Sequence, residues 1–113
     1  METFKAGDLV KVPFPYTDRS TRQHRPALVV SDSGLARDHG LLWVLMVTSA
    51  ENRAWPSDVA IVDHLACGLP IPSVVRTAKI ATIDSRDAEA LGKVTPDVSA
   101  AVLARLHDRL IGA

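Results

Sequence analysis

The chain has 113 residues, which is enough for one domain with a hydrophobic core and too few for two. Hydrophobic residues make up 47% and charged residues 23%, a balance typical of a globular domain. Thirteen basic and thirteen acidic residues cancel. Zero net charge argues against a large non-specific surface for nucleic acid, but it leaves room for a local basic groove.

Cysteine and histidine usage limits the chemistry further. The single cysteine, Cys67, excludes an intrachain disulfide and favours a reducing cytoplasm. The four histidines lack the spacing of metal ligands, and no glycine-rich phosphate loop is present. No apolar run is long enough to cross a membrane, and residues 1–5 do not resemble a signal peptide. We therefore predict one cytoplasmic domain over residues 1–113, without a metal or cofactor and without membrane contact.

The first third of the chain predicts two strands joined by a loop. Alternating hydrophobic residues over 9–14 indicate a half-buried strand, which the nearby prolines limit to an edge position or a short length. The polar segment from Tyr16 to His24 predicts a loop. Residues 25–31 (RPALVVS) indicate a strand buried on both faces, in the middle of a sheet. Pro26 has no N–H for a ladder, so we place it at the first residue of that strand.

The middle of the chain predicts three further strands. The segment 32–40 is polar and predicts a loop that could include one helical turn. Strands are expected at Leu41–Val47, which ends at Thr48 and Ser49, at Val59–Val62, and at Ser73–Ile83 with an interruption near Ala78.

Two helices complete the predicted fold. Ser85 can cap a short helix that runs to Leu91 and stops at Gly92. Thr95 and Pro96 begin a longer one, whose apolar stripe contains Val98, Val102, Leu106 and Leu110, with Leu103 beside them. Strands first and a helix last indicate an α+β fold, a small and strongly curved antiparallel sheet or barrel with helices attached.

Hydroxyl and guanidinium groups stand at the expected strand ends. If the two central strands are antiparallel neighbours, Arg25 at the start of one can meet Thr48 at the end of the other. Ser49 and Arg76 also lie at strand ends. An arginine fork beside a hydroxyl matches phosphate oxygens and can stabilise a pentacoordinate phosphorane. Such a pair suits RNA cleavage by the 2′-OH, although Arg25 as an ordinary strand-end cation and Thr48 as an ordinary strand-end hydroxyl remain alternatives.

Several short motifs occur in a specific order: GDLV, VPFP, RPALVVS, VTS, PSVVR and TID. In this order and spacing, from about Gly7 to the end, the chain resembles the PemK/MazF family, the toxins of type II toxin–antitoxin pairs. The resemblance implies an SH3-like antiparallel barrel with a C-terminal helix, acting as a homodimer. It also implies a metal-independent endoribonuclease that cuts single-stranded RNA at short motifs and leaves 2′,3′-cyclic phosphate and 5′-OH ends. A cognate antitoxin is the implied protein partner.

The same resemblance assigns roles to individual residues. The arginine of the family's RP[AV]LV motif matches Arg25, as acid or base and as phosphorane stabiliser, and Thr48 matches the threonine that donates to the phosphate. One branch also uses the arginine matched by Arg76 and an aspartate two residues later, where this chain has Ala78. The arginine that precedes TID in the family is replaced by Ala81. Proton abstraction is therefore left to Arg25, to His24 or Asp18, or to water. Arginine is a poor base because its pKa is very high, and His24 would point to the opposite face of the strand from Arg25.

The loops at residues 16–24 and 50–56 would flank this pair. Within them, Arg19, Arg22 and Arg53 can follow an RNA backbone, and Tyr16 or Trp55 can stack on a base. The alternative for Trp55 is a half-buried anchor under its own loop. Two other functions stay open, a related barrel that poisons DNA gyrase by contact and a small RNA-binding barrel without catalysis.

Overall fold

The computed structural model describes residues 3–13 and 24–112 and contains, within these ranges, six strands and two α-helices. In chain order these are β1 Asp8–Pro13, β2 His24–Val29, α1 Ser33–His39, β3 Leu41–Ser49, β4 Val59–Ala60, β5 Ser73–Asp84, β6 Glu89–Lys93 and α2 Pro96–His107. A 3₁₀ turn, Ser85–Asp87, precedes β6, and a π-helical segment, Asp108–Gly112, follows α2. The strands form one antiparallel sheet in the order β4-β5-β3-β2-β1-β6.

The central strands β2 and β3 are buried on both faces. Leu28 and Leu45 pack in a cluster on the face that α2 covers, where Val98 and Val102 join them. Val29 belongs to a second cluster on the opposite face. Successive residues of a strand point to opposite faces, so an unbroken hydrophobic run fills both cores. The predicted mid-sheet position of this strand is confirmed.

Strand β1 lies inside the sheet rather than at its edge. It pairs with β2 on one side and with β6 on the other. Pro13 is its last residue, so of the two predicted alternatives the short length holds and the edge position does not. Pro26 is the third residue of β2 instead of the first, and the ladder to β3 begins immediately after it at Ala27.

The C-terminal helix begins as predicted. The Thr95 side chain accepts a hydrogen bond from the Val98 N–H at 3.4 Å, and Pro96 occupies the first turn, where its missing N–H costs nothing. Leu106 packs against the first cluster, whereas Leu110 lies beyond the α-helix and is 81% exposed. The predicted stripe therefore divides into a buried part and an exposed end.

Two local predictions were wrong. Residues 85–91 form a 3₁₀ turn and part of strand β6 instead of a helix, because β1 offers an unpaired edge that β6 completes. The Asp84 carboxylate caps this turn, and the adjacent Arg86 guanidinium lowers the pKa of Asp84. The segment 32–40, predicted to be a loop, contains the seven-residue helix α1, which Asp32 caps and which ends at Gly40 in a left-handed conformation.

The loop of residues 61–72 connects the two edges of the sheet. It follows the edge strand β4, and its backbone packs directly against β6 at the other edge. A Cβ atom on Gly92 would lie 2.1 Å from the Cys67 carbonyl oxygen, and one on Gly68 would lie 2.3 Å from the Leu91 carbonyl oxygen. Glycine is required at both positions, because each lies against the backbone of the facing segment. The predicted curved antiparallel sheet with a C-terminal helix is confirmed. No helix in the described ranges is long and apolar enough to span a membrane.

We expect Gly92→Ala to lower the free energy of unfolding by roughly 3 kcal/mol, because neither backbone can move without opening the sheet. Gly40→Ala is the matched control, since its φ is 68° but none of the described residues has an atom within 4 Å of the added methyl group. The control should lose about 1–2 kcal/mol from the left-handed backbone alone. Urea denaturation measures both. Equal losses would contradict the close contact at Gly92.

Candidate functional site

The register of β2 and β3, extended beyond its last pair, predicts that Arg25 and Thr48 lie at the same end and face of the sheet. Ala27 on β2 is the Cα partner of Met46 on β3, and the same register continued by two residues sets Arg25 opposite Thr48. On the other side Arg25 is the partner of Val12, which lies in the second cluster. Directly opposite residues of an antiparallel pair share a face. The pairing of Ala27 with Met46 thus supports the predicted contact between Arg25 and Thr48, which stays a prediction.

The Thr48 hydroxyl has a side-chain partner that the sequence analysis missed. Asn52 Nδ2 donates a hydrogen bond to Thr48 Oγ1 at 2.6 Å, and Thr48 is only 7% exposed. The Asn52 N–H also donates to the Ser49 carbonyl at 3.1 Å, which closes a tight turn after β3. An asparagine four residues beyond a candidate threonine, in a turn-rich segment, is the signal that could have identified it.

Arg76 lies on the same face but is engaged internally. Arg76 is on β5, and its Cα partner is Met46 on β3. The Arg76 side chain forms a two-point salt bridge with Asp58, with Nη2–Oδ2 at 3.0 Å and Nε–Oδ1 at 3.3 Å. Nη2 also donates to the Arg53 carbonyl at 2.7 Å. Arg76 is 6% exposed, and the carboxylate offsets its charge. This geometry favours a supporting role for Arg76 over direct contact with a ligand.

Trp55 is held in place by the same pair. The Arg76 guanidinium carbon lies 4.5 Å from the Trp55 ring centroid, and Lys79 Nζ lies 5.7 Å from it. The backbone N–H of Trp55 donates a hydrogen bond to Asp58 Oδ2 at 2.9 Å. With 37% of its surface exposed, Trp55 has the geometry of the half-buried anchor considered above, while part of its surface remains open. Cation–π contact and backbone anchoring therefore order the loop from residue 50 to residue 58.

A bulge in β5 makes room for this arrangement. Met46 pairs with Arg76 and the preceding Leu45 pairs with Ile80, so three residues of β5 bulge out of the ladder. Thr77 within the bulge donates its hydroxyl to the Ser57 carbonyl at 2.9 Å. The predicted interruption near Ala78 is confirmed, and Ala78 is exposed at its centre.

The remaining candidates lie away from the pair or outside the described ranges. Ser49 alternates to the opposite face from Thr48, and its hydroxyl accepts from the Glu51 N–H at 3.2 Å. The Arg53 residue and His24 are exposed. The candidates that fall outside the described residues are Tyr16, Asp18, Arg19 and Arg22. Within residues 3–13 and 24–112, no three histidine, cysteine, aspartate or glutamate side chains are grouped to hold a metal ion.

Comparison with known proteins gives consistent results for fold and sequence. The family model described as "PemK-like, MazF-like toxin of type II toxin-antitoxin system" matches residues 5–110. The crystal structure of MazF from Deinococcus radiodurans is 31% identical, covers 100% of both chains and superposes with a TM-score of 0.79. A MazE–MazF crystal structure from the same organism matches at 30% identity, with 99% of this chain and 98% of that chain covered and a TM-score of 0.75.

A more distant match extends the likeness in fold. A mycobacterial endoribonuclease in complex with its cognate antitoxin shares 21% identity over 97% of this chain and 95% of that chain, with a TM-score of 0.73. A search of curated proteins gives no match.

The curled antiparallel sheet with its C-terminal helix and the family model that matches residues 5–110 together identify a toxin of a type II toxin–antitoxin system. The chain belongs to the PemK-like, MazF-like family of these toxins. The family resemblance found in the sequence motifs is confirmed.

We expect Asp58→Ala to lower the free energy of unfolding by about 3–5 kcal/mol, because it leaves the buried Arg76 charge without its partner. The control is Asp38→Ala, which removes an ion pair with Arg37 whose side chains are 63% and 67% exposed, against 11% and 7% for Asp58 and Arg76. The control should change stability by about 1 kcal/mol or less. Chemical denaturation of both variants measures the difference. A loss of stability of about 1 kcal/mol or less in both would contradict a stabilising salt bridge between Arg76 and Asp58.

Proposed function

We propose that this toxin is a metal-independent endoribonuclease that cleaves single-stranded RNA through the RNA's own 2′-OH. The observation that supports the proposal is the pairing of Ala27 with Met46 in a MazF-like fold, because the same register continued by two residues would set Arg25 opposite Thr48. The mycobacterial structure with a related fold is of an endoribonuclease. A guanidinium and a hydroxyl supply the donors that a phosphate in transition to a phosphorane needs.

In the proposed reaction the 2′-oxygen attacks the adjacent phosphorus, and the bond from phosphorus to the 5′-oxygen breaks. The 2′-OH loses its proton, the 5′-oxygen gains one, and the products carry 2′,3′-cyclic phosphate and 5′-OH ends. Arg25 stabilises the extra negative charge of the phosphorane and is suited to protonate the leaving oxygen. Thr48 donates its hydroxyl proton to a phosphate oxygen.

The base in this reaction is not an aspartate two residues after Arg76. Ala78 has no side-chain group that can accept a proton. The carboxylate that is paired with Arg76, Asp58, already accepts hydrogen bonds from the guanidinium and from the backbone N–H of Trp55. The 2′-OH proton therefore passes to water or to another residue. Arg76 and Trp55 act as supports beneath the site, and Arg53 extends the positive charge beside it.

We further propose that the toxin is a homodimer inhibited by a cognate antitoxin. The related structures pair MazF with MazE. A shallow apolar cavity between the sheet and α2 is lined by Trp43, Ile80, Leu103 and Leu110, and the first two are 49% and 55% exposed. Large apolar patches of this kind mark protein interfaces, and a second copy of the chain is the occupant that we propose. Val75 on β5 cannot contribute to such an interface, because it is fully buried in the core.

We expect the purified toxin to cut long single-stranded RNA at a repeated short motif in excess EDTA, with cyclic phosphate ends identified by mass spectrometry. Arg25→Ala should slow cleavage roughly 100- to 1,000-fold, because it removes the main charge that stabilises the phosphorane. The control is Arg37→Ala on α1, an exposed arginine paired with Asp38, and it should cleave at the wild-type rate.

Other results would favour the competing functions. RNA binding without cleavage would support a barrel that has lost catalysis. Inhibition of DNA gyrase by the wild type and by Arg25→Ala, with no cleavage of several RNAs, would support a toxin that acts by contact.

We expect Ile80→Asp to convert the dimer to a monomer at micromolar concentration, because a charge at the centre of the apolar surface must be desolvated on association. Val62→Asp is the control, since Val62 is also exposed, at 68%, but lies on the loop that follows β4. Sedimentation velocity distinguishes the two states. A monomeric wild type, or equal dissociation of both variants, would contradict this interface.

A further inference from the structure

We infer that Asn52 is a positioning residue that turns the Thr48 hydroxyl toward the scissile phosphate. This inference rests on the proposed ribonuclease activity and concerns the same site. The observation behind it is the 2.6 Å hydrogen bond from Asn52 Nδ2 to Thr48 Oγ1.

The direction of this hydrogen bond limits where the threonine can donate. A hydroxyl has one proton and two lone pairs, and the Asn52 amide occupies one lone pair. The Thr48 proton must then point away from Asn52. Thr48 is β-branched, lies in a central strand and is 7% exposed, so its side chain has little rotational freedom. The hydroxyl proton is left directed away from Asn52, and the register of Ala27 and Met46 continued by two residues would set Arg25 on the same face of the sheet.

The amide also makes the hydroxyl a better donor. Hydrogen bonds in a chain polarise one another, so a hydroxyl that accepts from an amide donates more strongly than one that does not. A phosphate oxygen that gains negative charge in the phosphorane profits most from this donor. The contribution of Asn52 should therefore appear in the chemical step more than in RNA binding.

Both sides of Asn52 are fixed by other contacts. Before it, the Ala50 N–H donates to the Pro72 carbonyl at 2.9 Å, and Asn52 itself closes the turn onto the Ser49 carbonyl. After it, the carbonyl of Arg53 accepts from Arg76. A side chain held on a short turn between two anchored residues keeps its orientation without cost at the moment of reaction.

An aspartate at this position would reverse the geometry. A carboxylate of the same shape can only accept, so the Thr48 proton would turn toward it and away from the phosphate. Its negative charge would also repel the substrate. Asn52→Asp is therefore a sharper test than removal of the side chain.

The experiment measures kcat and KM for RNA cleavage in Asn52→Ala and Asn52→Asp, alone and combined with Thr48→Val. We expect Asn52→Ala to lower kcat about 10-fold, within the range of effects for donors in an active site, with KM changed less than about twofold. Asn52→Asp should lower kcat further. In the Thr48→Val background neither substitution should have an additional effect, because the hydroxyl that they orient is gone. Glu51→Ala, an exposed neighbour in the same turn, should keep wild-type kinetics.

Each result decides the inference. An unchanged or higher kcat in Asn52→Ala, while Arg25→Ala still loses activity, would overturn it and leave the ribonuclease standing. An equal loss with and without the Thr48 hydroxyl would overturn it too, since Asn52 would then act by another route. Failure of the wild type to cleave would remove the ribonuclease itself. If Asn52→Ala does not fold, the isosteric Asn52→Asp carries the test.

Discussion

The buried ion pair between Arg76 and Asp58 is the interaction on which the candidate site depends. Two charges taken out of water are stable only when their geometry satisfies the donors and acceptors. The Asp58 carboxylate accepts two hydrogen bonds from the guanidinium and one from the backbone N–H of Trp55. The guanidinium also donates to the carbonyl of Arg53 and lies over the Trp55 ring. One arginine thus fixes the whole segment that follows β3.

The ion pair in turn depends on an irregularity in the sheet. Without the bulge, each residue of β5 after Arg76 would pair with a different residue of β3. The three-residue bulge after Arg76 ends one register and starts another, so the two halves of β5 can serve different purposes. The first half carries Arg76 to the site, and the second carries Ile80 to the apolar surface beside α2. The bulge therefore links the proposed site and the proposed interface.

The sequence was sufficient for features that local chemistry encodes. Unbroken hydrophobic runs identified the two central strands, and the Thr95–Pro96 pair identified the start of α2, because both signals lie within a few residues. The antiparallel order of β2 and β3, on which the predicted meeting of Arg25 and Thr48 rests, is present in the structure. The strand β6 was mistaken for a helix because its partner, β1, lies about eighty residues earlier. The pairing of Arg76 with Asp58 could not be predicted for the same reason, since Asp58 lies before β4 and Arg76 lies on β5. Asn52 was missed because it is one of several polar residues in its loop.

The two tryptophans of the chain occupy separate environments. Trp43 stands on the apolar surface beside α2, and Trp55 lies against the Arg76 guanidinium on the loop that reaches Thr48. An indole's emission responds to the polarity and the charges within a few ångströms of its ring. The intrinsic fluorescence of this toxin therefore contains two separate optical signals, one from the apolar surface that we propose as the dimer interface and one from the loop, and replacing either indole with phenylalanine isolates the other.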